Sequence, residues 1–242
     1  MRIWMFLAGA FLSVGPGLAE PAVFAAADGV KVHGEFSNPK GAPRGVVVMF
    51  HMAGSNKAEY APIAARLSSE GFATLAIDQR SGGAAFGKRN ETVAGLGRST
   101  DYLATLPDLE AALAFAQGKS GGKPVIVAGS SYSAALVFPL AQRKPESVAA
   151  VLAFSPGEYL SGVRVRAAAA GVLAPIYVTS ASDSSEIAAA KAILAAAPGS
   201  SNMQFAPARG VHGASTLRAD ANPGGQAENW RALEAFLDRF KP

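Results

Sequence analysis

Pro124-Val125-Ile126-Val127-Ala128-Gly129-Ser130-Ser131-Tyr132-Ser133 runs straight into Ala134-Ala135-Leu136-Val137-Phe138-Pro139-Leu140-Ala141. An apolar strand-like run therefore passes through a turn of small residues into a helix-like run. A chain that leaves a strand and enters a helix at once presses the two backbones together, so the positions two before and two after the apex must be small. With Ser130 at the apex those positions hold Ala128 and the bulky Tyr132; with Ser133 they hold Ser131 and Ala135, but no glycine precedes it. With Ser131 they hold Gly129 and Ser133. Ser131 is therefore the candidate nucleophile, and Ser133 stands where this layout ordinarily has a second glycine.

Outward from this turn, strand-like and helix-like segments alternate, which predicts an α/β fold with a mostly parallel sheet covered on both faces. Strands are expected at 22–26 and 30–36 around the turn signal Asp28-Gly29, and at 45–50, 72–77, 124–128, 148–154, 175–179 and 203–206. The run at 45–50 is apolar and largely β-branched, as in a strand buried on both faces. Helices are expected at 58–70, 108–117, from about 132, at 184–197 and at 228–240. Two connections are long: the glycine-rich 81–105, and 157–174, where the run 167–170 suggests a short helix. The second is too short for a separate cap domain, so an open site is expected.

Composition narrows the class. Half the residues are apolar and 17% are charged, so a large core is expected. The net charge of +4 comes from scattered Lys and Arg without aromatic interleaving, which argues against nucleic acid as a partner. Arg2, the apolar run 3–12 and Gly17-Leu18-Ala19 read as a secretory signal cleaved after Ala19. The expected organisation is thus a signal peptide at 1–19 and one domain at 20–242, exported to the periplasm or secreted, with no membrane insertion after cleavage. The chain has no cysteine, hence no disulfide and no cysteine nucleophile, and no paired-histidine pattern; neither a metal nor an organic cofactor is implied. Nothing in the sequence sets the oligomeric state.

A serine nucleophile needs a base, and there are three histidines. His33 lies in the N-terminal hairpin and His51 ends the 45–50 strand. His212, in Gly210-Val211-His212-Gly213 after the last strand, has the loop freedom to reach the carboxyl edge of the sheet, and is the candidate base. The orienting acid is expected to be Asp183, after the 175–179 strand, with Glu158 as runner-up and Asp220 and Asp78 weaker. Asp183 also suits the N-cap of the following helix. The oxyanion donors are expected to be the backbone N–H of Tyr132 and that of Ala53, with Met52 next, from His51-Met52-Ala53-Gly54-Ser55. The side chains of Met52 and Tyr132 would then shape the acyl pocket. Arg80, Lys88, Arg89 and Arg98 flank or occupy the long loop, either steering an anionic substrate or simply solvated.

The order Ser131, Asp183, His212 over this alternation resembles the α/β-hydrolase family across nearly the whole chain after the leader. The likeness is carried by His51-Met52-Ala53-Gly54-Ser55, Asp78-Gln79-Arg80-Ser81-Gly82-Gly83 and Gly129-Ser130-Ser131-Tyr132-Ser133. In its lidless size the chain is similar to dienelactone hydrolases and small carboxylesterases, although the former carry cysteine where this chain has Ser131. Met52 and Ser133 depart from the family's usual glycines. The resemblance implies a single-domain α/β-hydrolase fold and a serine hydrolase acting on small-molecule carboxylic esters or thioesters. A peptidase or acyltransferase on the same fold, or a binding protein that kept it, are the other readings.

Overall fold

A computed structural model describes residues 19–241. The expected leader, apart from Ala19, lies outside the described residues. The eight strands are β1 (Glu20–Ala25), β2 (Lys31–Ser37), β3 (Val46–Phe50), β4 (Ala73–Asp78), β5 (Val125–Ser130), β6 (Ala150–Phe154), β7 (Ile176–Thr179) and β8 (Met203–Phe205). They form one sheet in the order β1-β2-β4-β3-β5-β6-β7-β8. β2 pairs antiparallel with β1 and with β4, and every pairing from β4 onward is parallel. The strands predicted from apolar runs all form, with ends shifted by a few residues.

The helices are α1 (Ala61–Ser69), α2 (Glu91–Leu96), α3 (Leu106–Lys119), α4 (Tyr132–Arg143), α5 (Val165–Ala169), α6 (Ser184–Leu194) and α7 (Gln226–Leu237). The predicted helix at 58–70 divides into a 3-10 turn, Lys57–Tyr60, and α1. Asn56 caps that turn by accepting from Ala58 N–H. The connection 81–105 is more ordered than its glycines suggested, holding α2 and the 3-10 turn Leu103–Thr105.

Because β3 to β7 are buried on both faces, successive side chains feed two cores. Val46, Val48 and Phe50 of β3 join the core under α3, α4, α5 and α6. Val47 and Met49 join the one under α1 and α7. Helix α4 is buried from Tyr132 to Ala141, which accounts for its apolar residues on every side. This anchors the turn before it at the middle of the sheet. The loops after β3, β5, β6, β7 and β8 all emerge at the carboxyl edge, where open parallel sheets place their ligands.

Candidate active site

Ser131 is the apex of the turn between β5 and α4, with φ 59° and ψ −120°. A non-glycine residue in such a conformation stores on the order of 1–3 kcal/mol of strain and persists only where its surroundings enforce it. Here Ser131 N–H donates to Phe154 O at 2.8 Å, and the buried α4 fixes the outgoing chain. Gly129 is required because a Cβ there would collide with the carbonyl of Ser133. At position 133 the demand is different. Ser133 Oγ donates to His51 O at 2.6 Å and accepts from Gln79 Nε2 at 2.8 Å, so the serine in place of the usual glycine ties the elbow to the loops after β3 and β4.

Ser131 Oγ lies 2.7 Å from His212 Nε2. His212 precedes the 3-10 turn Gly213–Leu217, and two bonds hold its loop: Gly213 N–H to Ser155 Oγ at 2.9 Å and Ala214 N–H to Ser130 Oγ at 2.9 Å. Gly213 has φ +72°, and a side chain there would strike Ser130 Oγ.

The other imidazole nitrogen, Nδ1, meets Glu186 Oε1 at 2.8 Å. The expected partner, Asp183, does not reach it. Asp183 is the N-cap of α6, exposed, and its Oδ1 accepts from Ser185 N–H at 2.9 Å and Glu186 N–H at 3.3 Å. Asp183 and Glu186 together have the spacing of a capping box, in which the glutamate three residues after the cap reaches back toward preceding backbone. Glu186 does this two residues further back, its Oε2 accepting from Ala181 N–H at 3.1 Å, and gives its other oxygen to His212. That Asp-Ser-Ser-Glu spacing was the available signal for Glu186. Burial works to raise the Glu186 carboxyl, but hydrogen bonds from Ser155, His212 and Ala181 outweigh it and hold the group below the usual glutamate value.

Glu158, the runner-up, is occupied elsewhere: it accepts from Val165 N–H at 2.6 Å and Arg166 N–H at 3.1 Å, capping α5. Asp220 pairs with Arg218, and the buried Asp78 with Lys57. His51 is fully buried, and desolvation lowers its pKa to about 4. Its Nε2 accepts from Gln79 N–H at 2.9 Å, so Nδ1 carries the proton and donates to Met52 O at 2.8 Å.

Of the backbone donors expected around Ser131, Tyr132 N–H opens α4, where no carbonyl of the helix lies behind it to accept. Met52 N–H is committed to Glu59 Oε2 at 2.8 Å, which removes it from the candidates. Ala53 is the next residue and is exposed. The Tyr132 ring does not line an acyl pocket. It is buried, stacked on Tyr102 with centroids 4.3 Å apart, and its hydroxyl accepts from Gln79 Nε2 at 2.8 Å. Nor is Arg80 free to steer substrate: it is 6% exposed and salt-bridged to Asp28 and Asp108. Lys88, Arg89 and Arg98 are exposed. Among the described residues, no cluster of three His, Cys, Asp or Glu side chains is placed to hold a metal ion, and no helix is long and apolar enough to cross a membrane.

Comparison with known proteins agrees with this architecture. A dienelactone hydrolase from Anabaena variabilis superposes with a TM-score of 0.72 at 20% identity, covering 94% of this chain and 100% of that one. An esterase from Pyrococcus furiosus gives 0.67 at 17% identity, covering 99% and 96%. Est1E from Butyrivibrio proteoclasticus, solved with ferulic acid bound, gives 0.68 at 14%, covering 90% and 98%. Such distant likenesses establish the α/β-hydrolase fold. No curated protein matches the sequence significantly. The family model described as serine aminopeptidase, S33 (Hydrolase_4) matches residues 41–200, about two thirds of the chain. The chain belongs to this serine hydrolase family.

Proposed function

We propose that the protein cleaves small-molecule carboxylic esters through an acyl-enzyme on Ser131, with His212 as base and Glu186 as the orienting acid. The observation that carries this reading is the continuous line of hydrogen bonds from Ser131 Oγ through the His212 ring to Glu186, at 2.7 and 2.8 Å. His212 takes the hydroxyl proton as Oγ attacks the carbonyl carbon, and Glu186 stabilises the imidazolium that forms. The tetrahedral oxyanion is met by the backbone N–H groups of Tyr132 and Ala53. Its collapse breaks the ester C–O bond, and His212 returns the proton to the leaving alcohol. Water then enters; His212 removes its proton, the hydroxide adds to the acyl carbon, and Ser131 leaves with that proton.

Thioesters fit the same steps. The connection between β6 and β7 carries a helix of just five residues, α5, which suits small, accessible esters better than substrates needing a deep tunnel. The family description favours peptidase action as a second reading. A panel of p-nitrophenyl esters, acyl thioesters, aminoacyl anilides and short peptides separates them. Esters are expected to give the highest kcat/KM, and Ser131→Ala to abolish turnover; faster cleavage of aminoacyl anilides or peptides would overturn the ester assignment. We also propose export with cleavage after Ala19, on the strength of the leader-like residues 1–19. A mature N-terminus at Glu20 in the periplasm or medium is the expected result, and an intact Met1 in the cytoplasm contradicts it.

A further inference from the structure

Glu59 is a carboxylic acid with no exposed surface, on the 3-10 turn after β3, and it takes no part in the proton transfers described above. Burial raises its pKa against the opposing effect of the groups that donate to it. Its two oxygens face two different loops. Oε2 accepts from Met52 N–H at 2.8 Å, and Oε1 accepts from the Ser130 hydroxyl at 2.6 Å. Ser130 Oγ in turn accepts from Ala214 N–H at 2.9 Å. One carboxyl group thus joins the loop of the Ala53 donor, the residue before Ser131, and the loop that carries His212. The Glu59 carbonyl is itself held by Arg218 Nη1 at 2.6 Å, and that guanidinium lies 4.4 Å over the Phe86 ring.

The hold on Met52 has a geometric consequence. The Met52 carbonyl accepts from His51 Nδ1 at 2.8 Å and Ser55 N–H at 3.2 Å. Because a trans peptide sets its C=O and N–H on opposite sides, fixing the Met52 carbonyl fixes the direction of the Ala53 N–H. Glu59 pins the other end of the same residue. An oxyanion donor must already point at the place where charge will develop, since turning it during the reaction forfeits its effect.

We infer that Glu59 is a positioning residue, its carboxyl group holding the Ala53 N–H in register with Ser131 and His212. This assignment rests on the Ser131 reading above. The test compares Glu59→Ala and Glu59→Gln with wild type after active-site titration with a p-nitrophenyl phosphonate, measuring kcat, KM for p-nitrophenyl acetate, and Kd for an aryl boronic acid. Glu59→Ala is expected to lower kcat per titrated site about 100-fold, the scale of one lost oxyanion donor, with KM within about threefold and boronate affinity falling in step. Glu59→Gln is expected to recover to within about tenfold of wild type, its amide oxygen facing Met52 N–H and its NH2 donating to Ser130 Oγ. Should the alanine variant not fold, Glu59→Asp, one methylene too short to reach both loops, carries the alanine variant's expectation. A merely structural role would lower the titratable fraction and the Tm while leaving kcat per site within about threefold of wild type; that result overturns the assignment, as would a glutamine variant as impaired as alanine. A wild-type enzyme that the phosphonate fails to titrate at Ser131 would instead overturn the reading beneath it.

Discussion

Glu186→Gln tests which carboxylate serves His212. Two unit charges about 4 Å apart at an effective dielectric near 20 interact by about 4 kcal/mol. The side chains of His212 and Glu186 are 41% and 24% exposed, so solvent reduces what the pair contributes to the imidazolium-bearing transition state to about 2–3 kcal/mol. The amide also presents an NH2 group to a ring nitrogen that must donate, disfavouring the productive tautomer. Together these predict a fall in kcat of at least about 30- to 150-fold for Glu186→Gln with KM little changed. The control is Asp183→Asn. Asparagine caps a helix as well as aspartate does, so α6 keeps its first turn and kcat is expected to stay within about threefold of wild type. Steady-state kinetics on a p-nitrophenyl ester, normalised to titrated sites, decide the matter. A glutamine variant with more than about a third of wild-type kcat, or an asparagine variant that loses activity by two orders of magnitude, would refute the assignment.

Gly129→Ala is expected to push α4 away from β5, lowering stability by about 1–3 kcal/mol in urea titrations and kcat by more than tenfold, because the Cβ meets the Ser133 carbonyl. Unchanged stability and kcat would show that the elbow has room to spare. Ser133→Ala removes the bonds to His51 O and Gln79 Nε2; a loss of about 1–3 kcal/mol in stability with a smaller effect on kcat is expected, and no change in stability would contradict the tie. A hydrogen bond from Arg80 holds the Asp28 carboxyl down at about 2, from an ordinary 3.8. A lowered pKa stabilises the folded state above the unfolded value, and that contribution disappears as pH falls through about 2. With the Asp28 side chain 43% exposed, solvent screening leaves about 1 kcal/mol or less. Urea unfolding of wild type and Asp28→Asn should therefore differ by that amount at pH 6 and converge near pH 2; a gap that does not change with pH would contradict the pairing.

The parallel strands could be read directly, because a strand buried on both faces must be apolar without interruption, as Val46 to Phe50 are. The serine at the elbow was legible from its neighbours' size, and His212 from its place in a glycine-flanked loop. Glu186 was not, because local sequence offers Asp183 first and side-chain reach is a three-dimensional property. Asp183 spends its oxygen on backbone N–H groups of its own helix, whereas Glu186, three residues on and one methylene longer, projects toward His212. The unavailability of Met52 N–H was equally hidden, since it depends on Glu59 folding back over seven residues. The order within 81–105 has the same origin: Asn56 Nδ2 gathers the carbonyls of Gly83, Ala85 and Lys88, and the Asp78 carboxylate receives Glu91 N–H. Glycine content alone reports freedom in the unfolded chain and says nothing of such partners.

In the proposed reaction Ser131 forms the covalent intermediate. Incubation with a fluorophosphonate, followed by peptide mapping by mass spectrometry, tests it directly. One stoichiometric adduct on Ser131 is expected, lost in Ser131→Ala together with ester hydrolysis. An adduct on Ser130, Ser133 or any other residue, or hydrolysis that persists in Ser131→Ala, would contradict it.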